Sequence, residues 1–251
     1  MLDYLLLVLV GFIAGVINVV AGGGSLLTLP MLIFLGLPPN IANGTNRIAI
    51  VIQNIFAVKG FQSKGVNTFP FSIYLAIPAT IGAVIGAIAG VKIEGELFNK
   101  ILGVIMVVIV AYMVLSPKTS SKNSLERITG KYFWLSIIAF FFIGLYGGFI
   151  QAGVGFIILV ALSSINHISL VKSNAIKVFV VLTYCVASIG IFAYNDSINW
   201  MYGFILSIGN ASGAWVMSRW SVSKGDGFVK KVLIIMVLAM AIKLWFPDFY
   251  S

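Results

Sequence analysis

Ala21-Gly22-Gly23-Gly24-Ser25 lies near the middle of an apolar run covering 4–36, and Ala152-Gly153-Val154-Gly155 occupies a similar place in a second run covering 132–165. Thirty-odd helical residues rise roughly 50 Å, against a bilayer hydrocarbon core about 30 Å thick. Neither run fits one straight crossing, and glycine supplies the break. Long, glycine-interrupted segments at corresponding places in two halves point to a substrate site of a membrane carrier.

Further apolar segments cover 41–58, 69–91, 97–116, 170–193, 199–218 and 228–246. The 251 residues are 60% hydrophobic and 9% charged, where a soluble domain carries about 25% charged residues. Runs spread along the whole chain cannot be hidden in one core, so the chain reads as an all-α polytopic membrane protein. The net charge of +9 sits mainly in short segments between apolar runs, the habit of cytoplasmic loops rather than of a nucleic-acid surface. Cys185 stands alone inside an apolar run, which excludes a disulfide framework. Asp3 stands where a signal peptide would be basic, so Leu5 onward reads as mature protein.

The halves repeat at an offset of 130 or 131 residues. Ala21-Gly22 faces Ala152-Gly153, Gly24 faces Gly155, Arg47 faces Lys177, and Gly82-Ala83 faces Gly213-Ala214. Lys100-Ile101-Leu102 faces Lys231-Val232-Leu233. Internal duplication is the reading, with a first membrane repeat at 1–116, a cytoplasmic linker at 117–131 and a second repeat at 132–251.

Positive charge selects the topology. If every segment crosses once, loop cations divide seven against six. If the two long segments dip in, break at glycine and return, eleven share one side and only Lys92 and Lys100 lie opposite. The positive-inside rule favours the second arrangement. It makes two inverted repeats, each a re-entrant hairpin plus three transmembrane helices, with both termini outside an inner membrane.

Several polar residues stand in these apolar surroundings. Gly22, Gly23, Gly24 and Ser25 lead into a half-helix, Leu26 to Leu35, and Gly153 and Gly155 open its counterpart, Phe156 to Ile165. Helix starts expose unpaired N–H groups and partial positive charge, which suits an anion; glycines of this kind also serve close helix packing. Asn43-Gly44-Thr45-Asn46-Arg47 opens the second segment, and Ser173-Asn174-Ala175-Ile176-Lys177 opens its counterpart. Cations inside a span mark a substrate path by default, although both lie close enough to a segment end to snorkel. Asn18 and Gln151 adjoin the glycine breaks; with Gln53, Asn54 and Asn210 they could line a path or bridge helices. The candidate substrate-binding set is Asn18, Gly22, Gly23, Gly24, Ser25, Asn43, Thr45, Asn46, Arg47, Gln151, Gly153, Gly155, Asn174 and Lys177.

All seven acidic residues fall in loops or at ends, and the sole histidine, His167, falls in a loop. No carboxylate is placed mid-membrane to bind sodium or relay protons, so a path with cations favours anions. An inside-negative potential favours anion exit by about 2.3 kcal/mol per charge at 100 mV, and export could run without a coupling ion. No metal or cofactor is expected. An intramembrane enzyme would need a Ser–His pair, paired aspartates or a metal cluster, and an ATP-driven pump a phosphate-binding loop; the sequence offers none of these.

Gly11-Phe12-Ile13-Ala14-Gly15, Gly22-Gly23-Gly24-Ser25-Leu26-Leu27 and Ala42-Asn43-Gly44-Thr45-Asn46-Arg47 resemble the sulfite exporter TauE/SafE family. Gly144-Leu145-Tyr146-Gly147-Gly148 and Gly153-Val154-Gly155-Phe156 extend the resemblance to essentially the whole chain. The second half departs from the first: Val154 interrupts the glycine triplet, and Ala175 and Ile176 replace Thr45 and Asn46. The resemblance implies a permease for small sulfur-containing or carboxylate anions, with the glycine tips and the surroundings of Arg47 and Lys177 contacting substrate. The alternatives are a membrane assembly or scaffold protein and a carrier of neutral solutes. The expected partners are the small anion and the lipid bilayer. The row Gly82, Gly86, Gly90 could pack helices within one subunit or between two, which leaves a homodimer open.

Overall fold

The computed structural model describes the backbone of residues 2–93, 95–115 and 125–245. They form helices α1 (Leu2–Ala21), α2 (Ser25–Phe34), α3 (Pro39–Gln62), α4 (Phe71–Lys92), α5 (Gly95–Leu115), α6 (Gly130–Phe149), α7 (Val154–Asn166), α8 (Leu170–Tyr194) and α9 (Trp200–Trp245), with no strand among the described residues. Most of the expected linker, 117–124 with Lys118 and Lys122, lies outside them, as do Glu94 and Asp248. The side chains of Asp226, Lys230, Lys231 and Lys243 also lie outside them.

Both long apolar runs break at the glycines. Gly22 has φ 75° and Gly153 φ 66°, the left-handed region that glycine enters without a Cβ penalty. The arms on either side are unequal. α1 and α6 have 20 residues each, about 30 Å of helix, whereas α2 and α7 have 10 and 13.

The surface is apolar and the interior carries the small residues. On α4, Ile77, Ile81, Ile85 and Ile88 point outward while Ala79, Ala83 and Ala87 are buried. Large exposed aliphatics over buried alanine and glycine suit a lipid solvent, where helices associate by close backbone approach. Among the described residues, four helices are long and apolar enough to cross a membrane: α4, α6, α8 and residues Asp3–Ala21 of α1. α3 is 24 residues long but buries Asn43, Thr45, Asn46, Arg47, Gln53 and Asn54 inside the protein. The chain is a multi-pass membrane protein.

Two glycine seams join the halves. Gly82, Gly86 and Gly90 of α4 face the carbonyls of Phe141, Leu145 and Phe149 of α6, and Gly144 and Gly148 of α6 face those of Ala79 and Ala83. Gly11 and Gly15 of α1 face Leu206 and Asn210 of α9, and Gly209 and Gly213 face Val8 and Phe12. In both pairs the contacts advance together, so the helices run in the same direction. The row Gly82, Gly86, Gly90 is therefore used within one chain.

The sequence reading needs correction at α9. Two crossings, 199–218 and 228–246, were expected with a turn between them; instead one helix runs from Trp200 to Trp245. Gly225 and Gly227 weaken a helix by about 1 kcal/mol each but remove no backbone hydrogen bond, as proline would. Ser218, Ser221 and Ser223 donate to carbonyls three residues back, at 3.1, 3.0 and 2.8 Å. Their hydroxyls are thus satisfied within the helix.

Candidate functional site

α3 begins at Pro39, whose fixed φ and missing N–H suit a first helical position. Asn43 and Arg47 follow four residues apart, on one helix face. Arg47 Nη2 donates to Gly148 O at 2.5 Å and to Asn43 Oδ1 at 3.3 Å. Asn43 Nδ2 donates to Phe149 O at 2.7 Å. Gly148 and Phe149 end α6, where carbonyls lack intrahelical partners and carry partial negative charge. The pair therefore caps the first arm of the second glycine-broken run.

The counterpart on α8 does the same for the first run. Lys177 Nζ donates to Asn18 O at 2.7 Å, Val19 O at 3.0 Å and Asn174 Oδ1 at 2.5 Å. Asn174 Nδ2 donates to Val20 O at 3.4 Å. These carbonyls close α1. Each half's cation and asparagine thus finish the other half's broken helix. The spacing is four residues on α3 and three on α8, and both put the two side chains on one face.

The two cations differ in what remains free. An ammonium has three donors, and Lys177 has three acceptors around it. Arg47 is wholly buried, lies over the Phe192 ring at 4.6 Å and spends only Nη2; its Nε and Nη1 have no hydrogen-bond partner. Asn46 Nδ2, the neighbouring position, is also buried and unpartnered, while Asn46 Oδ1 accepts from Thr28 Oγ1 at 2.7 Å.

The tips of the breaks touch. A Cβ on Gly22 would run into the backbone of Gly155, and one on Gly24 into the carbonyl of Ala14. Gly23 is different: a Cβ there would make ordinary contacts, at 3.7 Å to Leu26 and 3.8 Å to Ile17. The first bond of α2 runs from Leu26 N to Gly23 O, and the first of α7 from Phe156 N to Gly153 O, both at 3.0 Å. Ser25 is buried but makes no cap; Gly24 holds the N-cap position without a side-chain bond.

The remaining candidates divide. Asn18 donates to Gln53 at 3.1 Å and Gln53 to Asn54 at 3.4 Å, a polar row beside the end of α1. Gln151, itself at φ 69°, accepts from Tyr184 at 2.9 Å. Thr45 lies apart, accepting from Asn199 N at 2.8 Å where α9 begins. Four participants escaped the sequence reading: Thr28, Tyr184, Phe192, and Tyr146, which donates to Ala152 O. Thr28 stands one turn beyond Gly24 and could have been picked out. The aromatics look like core in any apolar helix. No carboxylate is buried and no metal-binding group of three occurs among the described residues.

An all-helical bundle with an apolar surface, glycine-broken helices and cations held at their ends belongs to the membrane transporters. The chain is a member of the sulfite exporter TauE/SafE family, whose profile matches residues 7–244. It is 28% identical over 233 residues to a probable membrane transporter protein, ORF9, of Sinorhizobium sp, covering 93% of this chain and 88% of the relative. A probable membrane transporter protein of Haemophilus influenzae is 28% identical over 235 residues, 94% and 91% of the two chains. The probable membrane transporter protein YfcA of Escherichia coli is 27% identical over 240 residues, 95% and 88%. No solved structure matches the chain.

Proposed function

We propose that the protein carries a small anion of the sulfite or organic-acid class across the cell's inner membrane, outward, through a site built around Arg47. One observation carries this reading: a fully buried guanidinium with Nε and Nη1 unpartnered. Leaving a charged donor buried and unpaired costs several kcal/mol, and an oxyanion bound there would satisfy it with charge-assisted bonds. The absence of buried carboxylates among the described residues supports a site of net positive potential. Lys177 in this reading holds the scaffold and does not contact the substrate.

The re-entrant, inverted arrangement belongs to the same proposal, with the N-terminus outside and the linker cytoplasmic; the unbroken α9 removes the return crossing that would have carried the C-terminus outside as well. Loop charge supports it, as does the reciprocal capping of α1 and α6. Alternating access then requires the Gly22–Gly155 contact to part, or the anion to pass beside it next to Arg47. The test is flux of sulfite, thiosulfate and organic acids, side by side, in proteoliposomes. Anion flux that follows an imposed potential and disappears in Arg47→Ala supports the reading. Full flux in that variant, or preference for neutral solutes, overturns it.

A further inference from the structure

We propose that the flank between α3 and α9 is a binding site for an anionic glycerophospholipid, separate from the Arg47 site. A groove of about 730 Å³ runs there, within the size range of ligand pockets, about 300–1,000 Å³. Its walls are Ile52, Phe56, Phe204, Ile208, Ala211 and Trp215. The two serines in the wall present no free hydroxyl. Ser207 Oγ donates to Gly203 O at 2.6 Å, and Ser212 Oγ to Ile208 O and Gly209 O, both at 2.8 Å. The groove thus offers carbon to its occupant and suits an acyl chain.

One end is strongly basic. Lys59 lines the groove itself, and a second depression of about 560 Å³, sharing Trp215, is lined by Lys64 and Arg219. Gly60 brings the backbone of α3 against Ser218 and Arg219 of α9, which holds the two helices together at this level. The side chains of Lys59, Lys64 and Arg219 have no ion-pair or hydrogen-bond partner among the described residues; Arg219 only lies over the Trp215 ring, at 5.2 Å. The acidic side chains that are paired, Glu96 and Glu126, engage Lys100 and Lys172 elsewhere. Phe56 and Trp215 meet edge to face at 6.3 Å at the junction of apolar and basic regions. Aromatic rings favour that boundary in membranes. An occupant that matches both parts has a long apolar tail and an anionic head, and basic pockets between transmembrane helices take lipid head groups of this kind.

The test uses the purified full-length protein in detergent, with melting temperature and native mass spectrometry as readouts. Phosphatidylglycerol is expected to raise the melting temperature by about 5 °C and to persist as a bound adduct, while phosphatidylcholine does neither. Lys64→Gln with Arg219→Gln should remove the preference, and Lys64→Arg with Arg219→Lys should keep it. Ile208→Trp, which fills the groove and leaves every cation in place, should remove it as well. Several results would overturn the proposal: equal stabilisation by both lipids, an equal shift from soluble glycerol phosphate, or full retention in Ile208→Trp. A change in particle mass with these variants would also overturn it, because the groove would then be a subunit contact. If the glutamine double variant does not fold, the wild-type lipid comparison and Ile208→Trp still decide.

Discussion

The ammonium of Lys177 sits 2.7 Å from the carbonyl oxygen of Asn18, at the last turn of α1. A residue that sequence reasoning places on the substrate path thereby serves as the terminal cap of a helix in the opposite half. Arg47 stands in the same relation to Gly148, but with donors to spare.

That difference separates the effects of the two substitutions. Lys177→Met leaves the carbonyl of Val19 buried without a donor and that of Asn18 with only the amide of Gly22, so a stability loss of about 1–3 kcal/mol is expected. Thermal unfolding in detergent would measure it. Asn174→Ala removes both the bond to Val20 O and an acceptor of the Lys177 ammonium, and should cost about 2–3 kcal/mol.

Arg47→Ala should reduce anion flux by at least about tenfold even where folded protein is recovered, since a charge-assisted bond is worth about 1.5–3 kcal/mol. Arg47→Lys should restore capping of Gly148 better than flux, because an ammonium lacks the planar fork. Flux and melting temperature measured on one preparation separate the two roles.

The glycine tip offers its own discrimination. Gly22→Ala combines a strained φ with collision against Gly155, and folded yield by fluorescence-detected size exclusion should collapse. Gly23→Ala meets only ordinary contacts, so its stability should change by about 1 kcal/mol or less. If Gly23→Ala folds but loses flux, its amide faces the substrate.

Not every glycine is under constraint. Gly190, inside α8, has open space where a Cβ would stand. Gly190→Ala is expected to stabilise the protein by about 0.5–1 kcal/mol, whereas Gly86→Val should fail on the α4–α6 seam. Melting temperature checks both.

Tyr184→Phe removes the donor to Gln151. Gln151 already occupies a left-handed conformation, so about 1 kcal/mol should be lost. Gln151→Gly in the same background should recover part of it, which paired thermal melts would show.

Much of the bundle was legible because its signals are local. Overlong apolar runs and glycine located both breaks, and the offset drew attention to Arg47 and Lys177, each of which donates to a carbonyl at the end of a glycine-broken helix. Long-range partners were not legible. Nothing near Lys177 says that its acceptors lie on α1, because tertiary packing decides which carbonyls come within reach. Thr45 looked like part of the site only by standing beside Asn46, yet it ties down the start of α9. The expected turn near Gly225 failed because glycine permits a bend without enforcing one. Thr28 and Tyr184 carry no periodic or charge signature in a mostly apolar chain.

The bond between Lys177 and Asn18 spans 159 positions along the chain. At about 5–20 residues per second, a ribosome needs on the order of ten to thirty seconds to make that length. Throughout that interval the carboxyl end of the first helix made has no lysine to close it. Insertion machinery, lipid head groups or water must shelter those carbonyls until α8 arrives, and a nascent chain halted before it would carry an unfinished first arm.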